Sequence, residues 1–161
     1  MTAEPNALAV IGVGNEYRGD DGVGVVAARR LRALLPECVS VLEESGEGAA
    51  LMQAWQDAVW VVIIDAAHSG APPGTVHRLD ARLETAPAGF FHYSTHAFSV
   101  AEAIEMARAL DRLPAQLIVY GIEGESFAAG FGLSPAVEKA VDAVVERVAG
   151  EVRAALPQHG R

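Results

Sequence analysis

The sequence predicts an α/β protein, specifically a three-layer α/β/α sandwich around a mostly parallel sheet of about five strands. Short apolar runs without alternation recur along the chain, and such runs are typical of strands covered on both faces. Segments with the helical spacing of apolar residues separate most of these runs, and that order specifies a layered α/β architecture. No internal repeat or low-complexity linker interrupts the order, so residues 1–161 are predicted to form a single domain.

The first half of the chain contains three predicted strands and two predicted helices. The strands are residues 8–13, 39–42 and 59–64, and the third, which ends at Asp65, is the most apolar. A helix is predicted to begin at Val23 and to end before Pro36, and a short helix is predicted over residues 49–55. Because β-branched residues dominate the strands, the pattern indicates a buried sheet.

The second half begins with an alternating segment, residues 75–79, which predicts a strand near the edge of the sheet. A helix is predicted from about Ala97 to Leu110, followed by a core strand over residues 117–121. The last helix has a clear start, with Ser134 as N-cap and Pro135 at its first position, and is predicted to continue to about residue 156.

Composition excludes several classes of partner. The 21 acidic and 12 basic residues give a formal charge of −9, which disfavours nucleic acid and anionic membranes. A cationic ligand or a basic protein segment fits this charge better. The single cysteine, Cys38, excludes an internal disulfide, and no signal-like segment is evident, so we expect a cytoplasmic protein. The longest apolar run, Ala58 to Ile64, is too short to span a bilayer.

A glycine-rich loop follows the first strand, and its residues decide among three chemistries. A dinucleotide-binding loop needs a small residue where Tyr17 stands. A phosphate-binding loop needs Lys and Ser or Thr where Asp20 and Asp21 stand, and these carboxylates would repel a phosphate. The loop is therefore predicted to present carboxylates close to a helix N-terminus, and a nucleotide-binding domain is a disfavoured alternative.

Asp21, Asp65 and His96 are the candidate site residues, because each lies where a loop leaves a strand or a helix begins. Two carboxylates and a histidine can hold a divalent metal ion. Each residue also has a structural alternative. Asp20 is expected to be an N-cap, Asp65 can hydrogen-bond loop amides, and His96 competes with other loop histidines, His68 and His92. These residues alone leave both interpretations open.

Six short motifs produce a resemblance to a known family. They are Gly12-Val13-Gly14-Asn15, Gly19-Asp20-Asp21-Gly22-Val23-Gly24, Ile64-Asp65-Ala66, Ser94-Thr95-His96, Tyr120-Gly121-Ile122 and Leu133-Ser134-Pro135-Ala136-Val137. The sequence resembles the hydrogenase maturation proteases, the endopeptidases that trim the C-terminus of the large subunit of nickel-iron hydrogenases. The resemblance extends over nearly the whole chain, and it implies a hydrolase.

The resemblance also implies roles for individual residues. In the family, the residues that match Asp21, Asp65 and His96 recognise nickel, so these three are the expected catalytic and metal-binding residues. Nickel is expected to arrive with the large-subunit precursor, which would be the partner of a monomeric protease. Either the metal or a carboxylate such as Asp20 or Glu43 would activate water. A nickel-sensing checkpoint protein without catalytic activity is the alternative function.

One segment departs from the family pattern. The family commonly has an Asp-Gly-Gly-Thr type of loop after the second strand, whereas this chain has Glu43-Glu44-Ser45-Gly46-Glu47-Gly48. Gly48 is retained and Glu43 takes the place of the aspartate. The departure indicates a subfamily with its own client subunit.

Overall fold

The computed structural model describes residues 7–87, 89–91 and 99–156. Its sheet has five strands in the order β2-β1-β3-β5-β4. The elements are β1 (Leu8–Val13), a 3-10 helix (Gly19–Gly22), α1 (Val23–Leu34), β2 (Val39–Glu44), α2 (Gly48–Ala54), β3 (Trp60–Ala67), β4 (Val76–Asp80), α3 (Val100–Ala109), β5 (Gln116–Glu123) and α4 (Pro135–Ala155). The predicted order of strands and helices is confirmed.

Four of the five strands are parallel. β1 pairs in parallel with β2 on one side and with β3 on the other, and β3 pairs in parallel with β5. The alternating segment predicted at an edge is β4, which pairs antiparallel with β5. Because the chain leaves β1 toward β2 and later returns to place β3 on the opposite side of β1, the strand order reverses between β1 and β3. Ligands of open α/β sheets bind beyond the carboxyl ends of the strands at such a reversal.

Helices cover both faces of the sheet, so the predicted three-layer sandwich is confirmed. On one face, α1 and α4 bury residues such as Leu31 and Val141 against Ile118 of the sheet. On the other face, α2 and α3 bury residues such as Leu51 and Ala103 against a second set of strand side chains. Removal of this apolar surface from water is the main driving force for the layered arrangement.

Three strands are longer than the sequence predicts. β2 continues to Glu44, β3 continues through Asp65 to Ala67, and β5 continues to Glu123. The parallel register explains the last two, since Asp65 pairs with Gly121 and Ala67 with Glu123. In the sequence, an acidic residue after an apolar run indicates that the strand has ended. Backbone pairing with a neighbouring strand does not depend on the side chain, so the strand can continue past that residue. Asp65 therefore lies within β3 and not after it.

The described part of α3 begins later than predicted. It starts at Val100 after the N-cap Ser99, whose backbone N–H donates to the side chain of Glu102 at 2.7 Å in a capping box. The predicted start at Ala97 lies outside the described residues, as do His92 and His96. Within the described ranges, the helices lack the combination of length and apolar composition that a membrane span requires.

Candidate functional site

Two of the predicted site residues meet where the strand order reverses. Asp21 lies in the 3-10 helix that follows β1, and Asp65 lies on the neighbouring strand β3. Both are buried, with 4% of each residue exposed. Asp21 is close enough that its negative charge raises the pKa of the Asp65 carboxyl. The two carboxyl groups are therefore near enough to interact electrostatically, and their sharing of one metal site stays a prediction.

Close packing of α1 on the sheet explains why Asp21 and Asp65 meet. Gly24, in the first turn of α1, has no room for a side chain, because a Cβ atom there would lie 2.2 Å from the carbonyl oxygen of Ile64 and 2.5 Å from that of Val13. The helix thus begins directly against the backbone of β1 and β3. Since Asp21 precedes Gly24 by three residues and Asp65 follows Ile64, this contact fixes the separation of the two carboxyl groups.

The loop before the 3-10 helix orients Asp21. Its Oδ2 accepts a hydrogen bond of 3.0 Å from the backbone N–H of Asn15, and the Asn15 side chain accepts one from the N–H of Tyr17. Gly14 has a φ of 143°, and a Cβ atom there would lie 1.9 Å from the carbonyl oxygen of Asp21. A side chain at position 14 would therefore displace the backbone that carries Asp21.

The surroundings of Asp65 strongly perturb its carboxyl group. Burial raises the pKa of its carboxyl well above the usual value, and the charge of Asp21 raises it further. The N–H of Ala66 donates to Asp65 Oδ1 at 2.8 Å and opposes this change only in part. Two buried carboxylates repel each other in their charged forms. A divalent cation bound to their oxygens would neutralise both charges and stabilise the pair.

The third predicted member of the site, His96, lies outside the described residues, so its place beside the two carboxyl groups stays a prediction. Among residues 7–87, 89–91 and 99–156, no group of three or more His, Cys, Asp and Glu side chains is arranged to hold a metal ion. His68, one of the two competing histidines, follows β3, and its ring packs edge-on against Phe127 at 5.4 Å.

Asp20 does not cap α1, which corrects the sequence prediction. The N-cap of α1 is Gly22, without a side-chain hydrogen bond. The Asp20 carboxylate accepts hydrogen bonds from the N–H groups of Glu125 (2.8 Å), Ser126 (3.0 Å) and Ser134 (2.8 Å), and from the hydroxyl of Ser134 (2.7 Å). Burial alone would raise the pKa of Asp20, but these bonds outweigh it and hold the pKa below the usual value. Asp20 therefore joins the loop after β1 to the start of α4.

Glu43, the other candidate general base, belongs to an ion-pair network on α1. It accepts hydrogen bonds from Arg29 (3.0 and 3.2 Å) and from Arg32 (3.1 Å), and Arg29 also binds Glu16 through two bonds of 2.8 Å. The hydrogen bond from Arg29 lowers the pKa of the Glu43 carboxyl. Burial opposes this change, and the hydrogen bond from Arg32 adds to it. Glu43 thus fastens the end of β2 to α1.

A further buried acid, Glu123, lies two residues beyond the end of the core strand that the sequence predicts over residues 117–121. It lies at the end of β5 and accepts hydrogen bonds from the N–H (2.7 Å) and hydroxyl (2.6 Å) of Ser69, and His77 Nε2 lies 3.1 Å away. Burial would raise the pKa of Glu123, but its partners Ser69 and His77 lower it overall. Glu123 is 54 positions from Ser69 and 46 from His77, so no local pattern could have revealed this cluster.

Comparison with known proteins gives the same family as the sequence motifs. The family model HycI, described as hydrogenase maturation protease, matches residues 24–151. The Hydrogenase 2 maturation protease of Escherichia coli (strain K12) is 31% identical over 150 residues, which span 91% of this chain and 90% of that protein.

Solved structures agree with this assignment. The hydrogenase maturating endopeptidase HybD from Escherichia coli superposes with a TM-score of 0.74 at 27% identity and covers 91% of both chains. The nickel-iron hydrogenase maturation protease HybD from Thermococcus kodakarensis gives a TM-score of 0.69 at 26% identity, and the match covers 90% of this chain and 97% of that one. The fold, the sequence match and the predicted enzyme class therefore agree, and the chain belongs to the hydrogenase maturation protease family.

Proposed function

We propose that this protein is a nickel-dependent endopeptidase that removes the C-terminal peptide from the large-subunit precursor of a nickel-iron hydrogenase after metal insertion. Family membership supports proteolysis in hydrogenase maturation. The observation that carries the proposal further is the pairing of Asp21 and Asp65, two buried carboxyl groups of which one has a strongly raised pKa because of burial and of the other's charge. Such a pair favours a divalent cation as part of the substrate.

In this proposal the precursor carries the nickel, and the protease recognises it. Asp21 and Asp65 supply carboxylate oxygens to the metal, and His96 supplies a ring nitrogen. The loop hydrogen bond from Asn15 orients the Asp21 carboxylate, and the bond from Ala66 orients that of Asp65. Because a precursor without nickel offers no cation to balance the charges of the two carboxylates, recognition of the metal is also a check that the precursor is ready for cleavage.

The proposal assigns no proton transfer to Asp20 or Glu43. A general base works best when its pKa lies near the working pH. The pKa of Asp20 is held down by its hydrogen bonds to Ser126 and Ser134, and the pKa of Glu43 is held down by Arg29. The oxygens of both carboxylates also accept hydrogen bonds that hold neighbouring parts of the chain together. They act as positioning residues for the elements that surround Asp21.

Mass spectrometry of a nickel-loaded precursor, incubated with the purified protein, tests the proposal. We expect the precursor to lose a C-terminal peptide, and we expect the nickel-free precursor to remain intact. Asp21→Asn should abolish cleavage, because the neutral amide keeps the acceptor for Asn15 but lacks the charge that the metal needs. Asp57→Asn, in an exposed turn after α2, is the matched control and should cleave at the wild-type rate.

The same experiment separates the protease from a nickel-sensing checkpoint protein. A checkpoint protein would bind the nickel-loaded precursor without shortening it. Equal cleavage of loaded and nickel-free precursor would contradict nickel dependence. Cleavage by Asp21→Asn at the wild-type rate would show that Asp21 does not recognise the metal.

A further inference from the structure

Two large aromatic side chains lie exposed beside the candidate site. Tyr17 is 65% exposed and Phe131 is 73% exposed. Their ring centroids are 5.5 Å apart and the ring planes make an angle of 58°. We refer to these two residues as the aromatic pair. A single exposed aromatic residue is common, but two that contact each other form a continuous apolar surface that would be stabilised by a partner.

The backbone holds the aromatic pair in place. The two residues belong to distant loops, one after β1 and one after β5. The N–H of Gly130 donates to the carbonyl oxygen of Tyr17 at 2.9 Å, and the N–H of Gly19 donates to that of Gly130 at 2.8 Å. Asp20 adds a bond from its N–H to the Ser126 carbonyl oxygen at 2.9 Å. Because these bonds join the two loops next to the rings, a partner would find the pair already assembled, which lowers the entropy cost of binding.

A hollow of about 330 Å³ adjoins the aromatic pair, and its lining includes Gly19, Asp20, Ser126 and Phe131. Gly130 and Gly132 form part of the same wall, with φ angles of 142° and 108°. No atom lies within 4 Å of where a Cβ atom would stand on either glycine. The wall is therefore open backbone that another polypeptide segment can approach closely.

The aromatic pair beside the hollow favours an apolar side chain. The Asp20 carboxylate already accepts four hydrogen bonds from Glu125, Ser126 and Ser134, so it does not need a cationic or hydrogen-bonding ligand. The exposed faces of the two rings offer apolar contact area, and the backbone groups of Gly130 and Gly132 line the hollow next to them. With a formal charge of −9, the chain as a whole also disfavours an acidic segment.

The hollow lies close to the candidate site, because Asp20 lines it and the next residue is Asp21. We propose that the aromatic pair and the adjoining hollow bind an apolar side chain of the precursor in the extended segment next to the bond that is cut. This inference rests on the proposed function. It adds a binding surface that would act on affinity, since neither ring supplies a ligand for the metal or a group for proton transfer.

Steady-state cleavage of the nickel-loaded precursor tests the inference with Tyr17→Ala, Phe131→Ala and the double variant. We expect kcat/KM of the double variant to fall at least about tenfold, mainly through KM, as for removal of an aromatic anchor from an interface. The thermal midpoint should not change, since both side chains are exposed. Phe131→Leu, which keeps apolar bulk, should retain most of the activity. Leu83→Ser is the control, because Leu83 is 82% exposed in the turn after β4 and should have no effect.

The outcomes separate this inference from the proposed function. A double variant with kcat/KM within about twofold of wild type overturns the docking surface and leaves the protease standing. If the wild-type protein does not cleave the precursor, binding of the same precursor is measured instead. Weaker binding by the double variant then supports the surface, and unchanged binding overturns it. If the double variant turns a wild-type dimer into a monomer without changing precursor affinity, the surface joins two copies of this chain and the inference is wrong.

Discussion

The carboxylate of Asp20 accepts both the backbone N–H and the hydroxyl of Ser134, a residue 114 positions further along the chain. Ser134 is the N-cap of α4 by position, but its hydroxyl makes no capping bond and donates to Asp20 instead. The start of the last helix is thus attached to the loop that carries Asp21. The site depends on a contact between two ends of the molecule that neither local segment reveals.

Replacing Asp20 by Asn should therefore destabilise the protein, although Asn is as good an N-cap as Asp. Asp20 Oδ2 accepts three hydrogen bonds and Oδ1 accepts one, so an amide nitrogen in either position faces a donor. A buried donor without an acceptor costs about 1–3 kcal/mol. Urea denaturation should show this loss for Asp20→Asn and a smaller one for Ser134→Ala, which removes one bond. Equal stability of Asp20→Asn and wild type would contradict the role given to Asp20.

The effect of Asp20 should also depend on pH. Because the folded-state pKa of Asp20 is lowered, mainly by hydrogen bonds that overcome burial, its contribution to stability is present above the unfolded pKa of about 3.9 and is lost as the pH falls through the folded value. The difference in thermal midpoint between wild type and Asp20→Asn should be largest near neutral pH and should shrink in acid. A difference that stays constant down to about pH 3 would exclude this explanation.

The fold was predictable because the spacing of apolar side chains, which decides whether a segment packs as a strand or a helix, can be read directly from the sequence. The β-branched run of β1 and the Ser134-Pro135 start of α4 lie where the sequence places them. The ends of β3 and β5 were not predictable, since backbone pairing between Asp65 and Gly121 continues past the apolar residues. For the site, the order of the elements places Asp21 and Asp65 near each other, with Asp21 in the 3-10 helix after β1 and Asp65 within the neighbouring strand β3.

The role of Asp20 could not be predicted for a different reason. Its partners Ser126 and Ser134 follow β5, and only the tertiary fold brings them near. The same holds for Glu123, whose partners Ser69 and His77 come from the segment after β3 and from β4. Sequence patterns report local structure and burial, whereas such hydrogen bonds depend on topology.

Asp65→Asn should stabilise the free protein while abolishing cleavage. Burial and the charge of Asp21 raise the folded-state pKa of Asp65, so folding favours its neutral carboxyl group. The stability that results is fully present below the unfolded pKa and is lost as the pH rises through the folded pKa. An amide stays neutral and keeps an acceptor for Ala66. The thermal midpoint should rise by roughly 2–4 °C for each 1 kcal/mol gained at neutral pH. A midpoint below that of wild type at pH 7 would refute the unfavourable pairing with Asp21.

Nickel should be held weakly by the protein without its substrate. The described part of the site contains two carboxyl groups, and a site with few protein ligands and open positions binds metal less tightly than a closed one. Metal analysis after dialysis against a chelator should find far less than one nickel ion per chain. The nickel-loaded precursor, treated in the same way, is the control for metal held in a complete site. Stoichiometric nickel in the dialysed protein would mean that the metal is resident and not delivered.

Gly24→Ala should damage both stability and the site. A Cβ atom at position 24 would lie 2.2 Å from the carbonyl oxygen of Ile64 and 2.5 Å from that of Val13, and these backbone atoms cannot rotate away. The first turn of α1 would have to move off β1 and β3 and would carry Asp21 away from Asp65. Overpacking of this kind costs typically about 1–3 kcal/mol.

The matched control for Gly24→Ala is Gly150→Ala, in the exposed part of α4, where no atom lies within 4 Å of an added Cβ. Alanine there should stabilise the helix by about 0.5–1 kcal/mol, because glycine loses more backbone freedom on folding. Urea denaturation of the two variants should therefore give shifts of opposite sign. Cleavage of the nickel-loaded precursor should be slowed by Gly24→Ala and unchanged by Gly150→Ala. If Gly24→Ala were as stable and as active as Gly150→Ala, close contact between α1 and β3 could not be what sets the separation of Asp21 and Asp65.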